Sequence, residues 1–378
     1  MKRHDNTLYV TTQGTYIARQ RDTLLLRLDD QTRRQFPIHT LGGIVAFGNV
    51  SFSPFALGLC GESGVSVSMM TEHGRFLARV EGPISGNVLL RRAQYKASDS
   101  PAAASEIARA LVAAKIANAR TVLLRAQRDH AGKRGHSTFS PRDSAPDDEL
   151  PPEQSSPPAQ EGQEGQEKVE CPLLHRAAAR MAAILDDLRN PMSLEEVRGR
   201  EGEAAQTYFG VFDRLIVAQK EDFRFDGRSR RPPKDRVNAV MSFLSAMLTH
   251  DARSACETVG LDPQVGFLHR DRPGRASLAL DLMEELRPVL VDRLTLSLIN
   301  RKQVAPDGFR VTESGGVEMD DATRKAVIVA WQARKNDELT HPFLNEKVSL
   351  GLLLHVQARL LARHLRGDLD AYPAFFWR

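Results

Sequence analysis

The 378-residue chain is 41% hydrophobic and 26% charged, which is enough for two domains that each bury a core. No apolar run reaches the ~18 residues of a membrane span, no apolar signal segment follows Met1, and the three widely spaced cysteines form no CxxC pair. We therefore expect a cytoplasmic protein without a membrane partner, a zinc site or disulfides. The net charge of +4 conceals a basic body: residues 131–170 hold four basic and nine acidic residues and leave +9 for the rest. That excess weakly favours a polyanionic partner over ordinary solubility.

The first 84 residues predict a small, β-rich, sandwich-like domain. Short apolar segments bounded by glycine, asparagine or charged turns are typical of strands, and one short helix is expected near residues 54–63. The predicted strands are residues 7–12, 23–28, 42–48, 64–70 and 74–82.

Residues 85–378 predict an all-helical domain, so that the fold class is α+β with two domains. The alanine-rich segment 101–127 has helical spacing of its apolar residues. Residues 130–170 are instead rich in Pro, Gly, Ser, Gln and Glu, and they have too few apolar residues to offset the cost of ordering. This segment is predicted to be a disordered insertion and not a domain boundary, because similar helices flank it.

The segment 193–217 predicts a helix with one acidic residue on its apolar face. Ser193 and Glu196 fit a capping box, which marks the helix start. At about 100° per residue, Glu201 lies in the middle of the apolar face, whereas Glu203 points roughly away from it. The apolar residues of this face are Leu194, Val197, Ala204, Ala205, Tyr208, Phe212 and Leu215. An unpaired ionised carboxylate there costs several kcal/mol, so Glu201 requires a cation, a metal or a proton as its partner.

Residues 266–288 supply the other candidate ligands. His269 enters from a basic loop, and Asp281 and Glu284 lie three residues apart on the flank of the following helix, with Glu285 nearer its apolar side. Together with Glu201 they predict a site of carboxylate and imidazole ligands. Such ligands suit Mn²⁺ or Mg²⁺, whereas zinc more often binds cysteine or several histidines.

Each candidate also has a structural interpretation. Glu201 could form a buried salt bridge, or a kink at its neighbouring glycines could move it off the apolar face. A lone histidine such as His269 is more often a capping or core residue. The three acids of the second helix could lie on a solvated face and pair with Arg275 or Arg287.

Basic residues flank these candidates and indicate phosphate binding. They come from two loops, one before the helix that starts near residue 237 and one directly after His269. The candidate DNA-binding residues are Arg224, Arg228, Arg230, Arg231, Lys234, Arg236, Arg270, Arg272 and Arg275. Some could instead pair with Asp226, Asp235 or the acidic insertion.

Taken together, these segments resemble a known family, the CRISPR-associated integrase of spacer acquisition, the first of the numbered CRISPR-associated proteins. The resemblance covers nearly the whole chain apart from residues 130–170, and its combined motifs are specific. They are "RGREGEAAQTYF" (198–209), "RRPPKDRVNAVMSFLSAML" (230–248), "GLDPQVGFLHRDRPGRASLALDLMEELRP" (260–288) and "LRGDLDAYPAFFWR" (365–378). The amino-terminal details resemble the version found in type I-C systems.

The resemblance implies a metal-dependent DNA integrase and endonuclease of prokaryotic antiviral immunity. The family's metal-binding glutamate, histidine and last acidic ligand correspond to Glu201, His269 and Glu284. Asp281 corresponds to a nearby family acid, either a further ligand or the residue that orients His269. The implied reaction is transesterification, in which the 3′-hydroxyl of a short incoming DNA attacks a phosphodiester at the edge of a CRISPR repeat.

The resemblance also implies partners. These are double-stranded DNA, both spacer precursor and repeat, a second copy of the chain, and the small companion protein of the adaptation complex, in a heterohexamer. The alternatives are a metal-dependent structure-selective nuclease that uses water and a DNA-binding scaffold with an inactive pocket.

Overall fold

A computed structural model describes residues 7–29, 31–72, 76–80, 82, 88–132 and 172–377. The predicted domain boundary at residue 84 therefore lies outside the described residues. The predicted insertion at 130–170 also lies outside them, apart from its first three residues. The amino-terminal elements are β1 Thr7–Val10, β2 Tyr16–Gln20, β3 Thr23–Leu28, β4 Gln31–Pro37, β5 Gly43–Phe47, β6 Ser51–Phe52, α1 Pro54–Glu62, β7 Ser66–Met70 and β8 Phe76–Val80.

The amino-terminal strands form two four-stranded sheets, in the orders β1-β5-β7-β8 and β4-β3-β2-β6. Both sheets and α1 bury apolar side chains in one core, which includes Ile17, Leu24, Ile44 and Leu59. β5 is parallel to β1 and to β7, unlike the strands of a wholly antiparallel sandwich. The strand-rich domain is thus confirmed, with a mixed topology in which α1 connects the β5–β6 region to β7.

The first sheet has two buried faces because side chains alternate along its strands. Ile44 faces the amino-terminal core, whereas Val45 and Phe47 belong to the core of the helices. Phe47 stacks on Phe243, with ring centroids 5.8 Å apart. Ser68 Oγ lies 2.7 Å from the Nδ1 atom of His250. The two parts of the chain therefore share an extensive packed interface.

The second part of the chain is mainly helical. Its helices are α2 Val88–Asp99, α3 Pro101–Gly132, α4 Pro172–Asp187, α5 Leu194–Phe212, α6 Arg236–Val259, α7 Ser277–Arg287, α8 Arg293–Asn300, α9 Asp321–Asn336 and α10 Leu353–Leu365. A π-helical turn, Pro288–Asp292, links α7 to α8. None of the described helices is both long and apolar enough to cross a membrane.

The expectation of an all-helical domain is wrong in detail. Two short antiparallel hairpins interrupt the helices. They consist of β9 Phe309–Val311 with β10 Val317–Met319, and β11 Glu338–Thr340 with β12 Lys347–Ser349. Each strand has only three residues, which is too short to show a two-residue periodicity in the sequence.

The carboxyl-terminal tail is bound between α3, α7 and α10. The buried carboxylate of Glu285 accepts hydrogen bonds from the Tyr372 hydroxyl at 2.6 Å and the Phe375 amide at 2.8 Å. Asn118 of α3 accepts a hydrogen bond from the Trp377 amide at 2.7 Å and donates to the Phe375 carbonyl at 2.9 Å. The tail thereby fixes α3 beside α7, two of the three helices that contribute to the site described next.

Candidate active site

Glu201 lies on α5, which begins at the predicted capping box of Ser193 and Glu196. The helix is continuous across the neighbouring glycines, so the predicted alternative of a kink is wrong. The predicted apolar face is largely buried, with Val197, Ala204, Tyr208, Phe212 and Leu215 in the core. Glu203, predicted to point away from the apolar face, is not fully exposed. Both glutamate side chains are 29% exposed, and Glu203 pairs with Arg180 and Arg200.

Lys115 of α3 is the partner of Glu201. Its ammonium forms an ion pair with Oε1 of Glu201 and a second one, at 2.8 Å, with Oε2 of Glu284. The buried salt bridge left open by the sequence is therefore present, and it joins the two carboxylates on one cation. Three helices, α3, α5 and α7, meet at this point.

His269 and Asp281 form the second half of the site. Asp281 is fully buried, and its Oδ1 lies 2.6 Å from His269 Nδ1. The same carboxylate accepts the backbone amides of Phe267, Leu268 and His269 at 2.6, 2.9 and 3.0 Å. Asp281 accepts four hydrogen bonds, and it thereby orients His269 and shapes the loop. Carboxylates that hydrogen-bond to a metal-binding histidine orient it in the same way.

The loop that carries His269 is held from two more sides. Arg198 of α5 donates from Nε to the Leu268 carbonyl at 2.8 Å. Gly266 approaches α7 so closely that an added Cβ would lie 2.6 Å from Asp281 Oδ2. Only a residue without a side chain fits there, and the loop consequently lies directly against Asp281.

Glu284 is ionised in spite of its burial. Burial opposes its charge, but Lys115, Arg287 and to a lesser extent His269 outweigh that effect and hold the pKa of this carboxyl well below its usual range. Arg287 is itself buried between Glu284, at 3.3 Å, and Asp292, at 3.5 Å. All three acids of α7 are buried, so the predicted alternative of a solvated face is wrong.

The donor set fits a hard divalent cation in its chemistry. Glu201 and Glu284 come from different helices and already enclose one positive charge, the Lys115 ammonium. His269 uses Nδ1 for Asp281, which leaves Nε2 as its remaining ligand atom. Among the residues that the structure describes, however, no three acidic, histidine or cysteine side chains stand close enough to hold a metal ion in their present positions. Glu201 and Glu284 therefore fit a divalent cation, whereas His269 as the third ligand stays a prediction.

The predicted DNA-binding residues divide into two groups. Arg228 is half-buried and donates to Asn238 and Ser242 at 2.7 and 3.1 Å, and burial, reinforced by Arg287 and Arg230, lowers its pKa to about 10. Arg236 donates to the carbonyls of Asp222 and Pro306. Both arginines thus serve the fold. The exposed members are Arg224, Arg230, Arg231, Lys234, Arg270 and Arg272, and Arg275 is half-buried.

The loop of residues 224–236 lies near the acidic site, because Arg228 is close enough to Arg287 and Asp292 for their charges to act on its pKa. On another side, an open cleft of about 700 Å³ is lined by Arg253, Arg272 and Arg275 and by the aromatic ring of Phe76. Asp235 caps α6 by accepting the Asn238 amide at 2.7 Å, and its charge also acts on Arg228, one of the loop arginines.

Sequence reasoning missed three residues of the site, namely Lys115, Arg198 and Arg287 as a partner of Asp292. Arg287 was considered only as the partner of solvated acids. Lys115 lies in an alanine-rich helix, where a single lysine ordinarily reaches solvent. The sequence indicated that Glu201 needs a cationic partner, but it did not indicate that this partner is Lys115.

Comparison with known proteins identifies relatives over the full chain. A family model described as "CRISPR associated protein Cas1" matches residues 8–143 and 159–333. "CRISPR-associated endonuclease Cas1 1" of Chlorobaculum tepidum is 47% identical over 378 residues, which cover all of both chains. "CRISPR-associated endonuclease Cas1 2" of Rhodospirillum rubrum is 49% identical over 379 residues, again with full coverage of both.

Solved structures with low sequence identity share the fold. A CAS1 protein from Thermotoga maritima superposes with a TM-score of 0.72 at 21% identity, over 99% of this chain and 100% of that one. A casposase bound to its integration product gives 0.74 at 21%, over 97% and 93%. A chain of a Cas6-RT-Cas1–Cas2 complex gives 0.75 at 20%, over 100% of this chain and 36% of the larger one.

Proposed function

The chain belongs to the CRISPR-associated Cas1 family, and on that premise we propose that it is a metal-dependent DNA integrase of spacer acquisition. The proposed reaction joins the 3′-hydroxyl of a short DNA fragment to a phosphodiester of a CRISPR repeat. The observation that carries the proposal is the convergence of Glu201 and Glu284 on one cation, with His269 held beside them by Asp281. Full-length relatives named CRISPR-associated endonucleases support phosphodiester chemistry.

Each side chain of the site has a defined part in this proposal. Glu201 and Glu284 bind Mg²⁺ or Mn²⁺ from α5 and α7, and His269 is the proposed third ligand. Asp281 positions the His269 ring and leaves its Nε2 for the ion. A bound ion would lower the pKa of the attacking hydroxyl and offset the charge that develops on the phosphorane. Arg287, which also pairs with Asp292, holds the Glu284 carboxylate in place and favours its ionised form.

The exposed basic residues bind the DNA backbone in this proposal. Arg230 and Arg231 lie in the same loop as Arg228, which is near the site, and Arg272 lines the cleft beside the His269 loop. Guanidinium contacts to phosphates position DNA without reading its sequence. We exclude Arg228 and Arg236 from this surface because both are partly buried and donate to groups within the fold.

The proposed partners follow from the family. They are double-stranded DNA, a second copy of the chain, and the small companion protein Cas2, with two homodimers around one Cas2 dimer in a heterohexamer. A shared fold with a chain of a Cas1–Cas2 complex supports the companion. We also propose that the protein belongs to a type I-C system, on the basis of the amino-terminal resemblance, and that it acts in a prokaryotic cytoplasm.

The test compares two glutamates of equal exposure on one helix. Glu201→Ala should abolish strand transfer while the protein still folds, because a ligand is lost. Glu203→Ala should be mild, because the ion pairs of Glu203 among the described residues are with Arg180 and Arg200 and not with Lys115. The assay follows a labelled 3′-hydroxyl DNA and a repeat-bearing plasmid. An inactive Glu203→Ala beside an active Glu201→Ala would refute the assignment.

The same assay distinguishes the second candidate function, a structure-selective nuclease that uses water. The relatives' endonuclease names favour considering it. A joined product supports the integrase, cut DNA without joining supports the nuclease, and binding without reaction would indicate a DNA-binding scaffold with an inactive pocket.

A further inference from the structure

Lys115 occupies the position on which the two carboxylates of the site converge. It projects from α3, its side chain is only 11% exposed, and its ammonium pairs with both Glu201 and Glu284. None of the sequence motifs that point to DNA integration includes this residue. Its position therefore raises the question of how a lysine and a divalent ion share one site.

Without Lys115 the two carboxylates would repel each other in a poorly solvated place. Glu284 has a second cation, Arg287 at 3.3 Å. In the part of the chain that the structure describes, Glu201 forms an ion pair with Lys115 alone. Leaving a largely buried charge unpaired costs several kcal/mol, so the lysine stabilises the metal-free protein.

The same contacts exclude a metal ion. Mg²⁺ binds carboxylate oxygens at about 2.0–2.1 Å, and an ion held by Glu201 and Glu284 together must lie between their oxygens. That is where the ammonium lies, 2.8 Å from Glu284 Oε2. Two cations cannot occupy this space, and their mutual repulsion would be strong at this distance.

We propose that Lys115 is a built-in counterion of the metal-free site, which a divalent cation must displace in order to bind. The proposal rests on the proposed metal site of Glu201 and Glu284. Of the two cations at Glu284, Lys115 is the one that an incoming ion must displace, because it pairs with both proposed ligands, whereas Arg287 pairs with Glu284 and Asp292. Displacement of the ammonium is a cost that lowers the metal affinity of the wild-type protein.

The experiment measures Mn²⁺ binding to the full-length protein without DNA, from the spectroscopic signal of free Mn²⁺ at constant pH and salt. Lys115→Met removes the charge and keeps most of the side-chain volume, so Mn²⁺ should bind roughly tenfold more tightly or better. The control is Lys335→Met. Lys335 is also a buried lysine with a carboxylate partner, Asp251 at 2.8 Å, but it lies on α9 away from the site. Its affinity for Mn²⁺ should equal that of the wild type.

Thermal unfolding gives a second measure. Without metal, Lys115→Met should melt below the wild type, and saturating Mn²⁺ should raise its melting temperature by more than that of the wild type. If Lys115→Met does not fold, Lys115→Arg replaces it. A guanidinium holds two carboxylates more firmly than an ammonium, so that variant should bind Mn²⁺ more weakly.

The outcomes are separable from those of the proposed function. Equal or weaker Mn²⁺ binding by Lys115→Met, or tighter binding by Lys115→Arg, would overturn the counterion role while the metal site stands. Glu201→Gln tests the site itself and should bind Mn²⁺ more weakly than the wild type. If Glu201→Gln binds as the wild type does, or if the wild type binds no Mn²⁺, the site fails and the counterion role fails with it.

Discussion

Asp281→Asn tests whether the buried carboxylate positions His269 or is itself a ligand of the proposed metal ion. Asp281 accepts four hydrogen bonds, two on each oxygen: Phe267 and Leu268 amides on Oδ2, and the His269 amide and ring on Oδ1. Asparagine retains one oxygen. Its amide nitrogen, which only donates, would face two of these donors.

The magnitude follows from those two lost bonds. Hydrogen bonds to a charged group contribute about 1.5–3 kcal/mol each, so the substitution should destabilise the protein by about 3–6 kcal/mol. That is a large part of the 5–15 kcal/mol by which a domain is typically stable. Because the His269 ring loses its orienting partner, Mn²⁺ affinity should also fall, by about 10–100-fold.

Urea unfolding measures the first effect and Mn²⁺ binding the second. The control is Asp262→Asn, since Asp262 accepts the Tyr95 hydroxyl and the Gln264 amide near the surface and does not touch His269. It should cost about 1 kcal/mol and leave Mn²⁺ binding intact.

Two results would refute the reasoning. If Asp281→Asn is no less stable than Asp262→Asn, the carboxylate does not organise the loop. If Mn²⁺ binding disappears to the extent expected for loss of a ligand, Asp281 binds the ion directly and its positioning role is secondary.

Three further variants test other parts of the structure. Burial raises the pKa of Glu285 to about 7, so this group contributes stability below its unfolded pKa of about 4.5, and that stability is lost as the pH rises to about 7. Glu285→Gln should lack this loss of stability. An unchanged pH dependence of the free energy of urea unfolding between pH 5 and 8 would contradict the expectation. Replacing Arg230 and Arg231 together by alanine should lower the slope of log affinity against log salt by roughly 2 on two unrelated duplexes, and an unaltered slope would remove them from the DNA path. Gly266→Ala should destabilise the protein by about 1–3 kcal/mol in thermal unfolding, because its Cβ would meet Asp281; wild-type stability would show that the loop yields.

Local periodicity accounts for what the sequence could predict at the site. Helical spacing identified the apolar face of α5 and the position of Glu201 within it, and the capping box marked its start. Ionic partners could not be predicted in this way. Lys115 and Glu201 are separated by 86 residues, and no local pattern in either helix reveals that they meet.

The same limit applies to the fold. The apolar strands β3, β5 and β7 were predicted closely, whereas the charged segment Gln31–Pro37 is a largely exposed edge strand with no apolar alternation. β2 ends in polar residues, and β6 has only two residues. The parallel pairing of β1 with β5 depends on contacts across the intervening hairpins, which hydrophobic patterning does not encode.

The clasp between α3 and the carboxyl-terminal tail has a consequence for biosynthesis. Asn118 and Trp377 are 259 residues apart, and at about 5–20 residues per second a ribosome needs on the order of tens of seconds to make the intervening chain. Until residues 372–377 have left the exit tunnel, Glu285 lacks the tail residues that bind it, and α3 is not fastened beside α7. The helices that carry Lys115 and Glu284 therefore reach their final spacing only after residues 372–377 have been made, so the site assembles late relative to the synthesis of its own side chains.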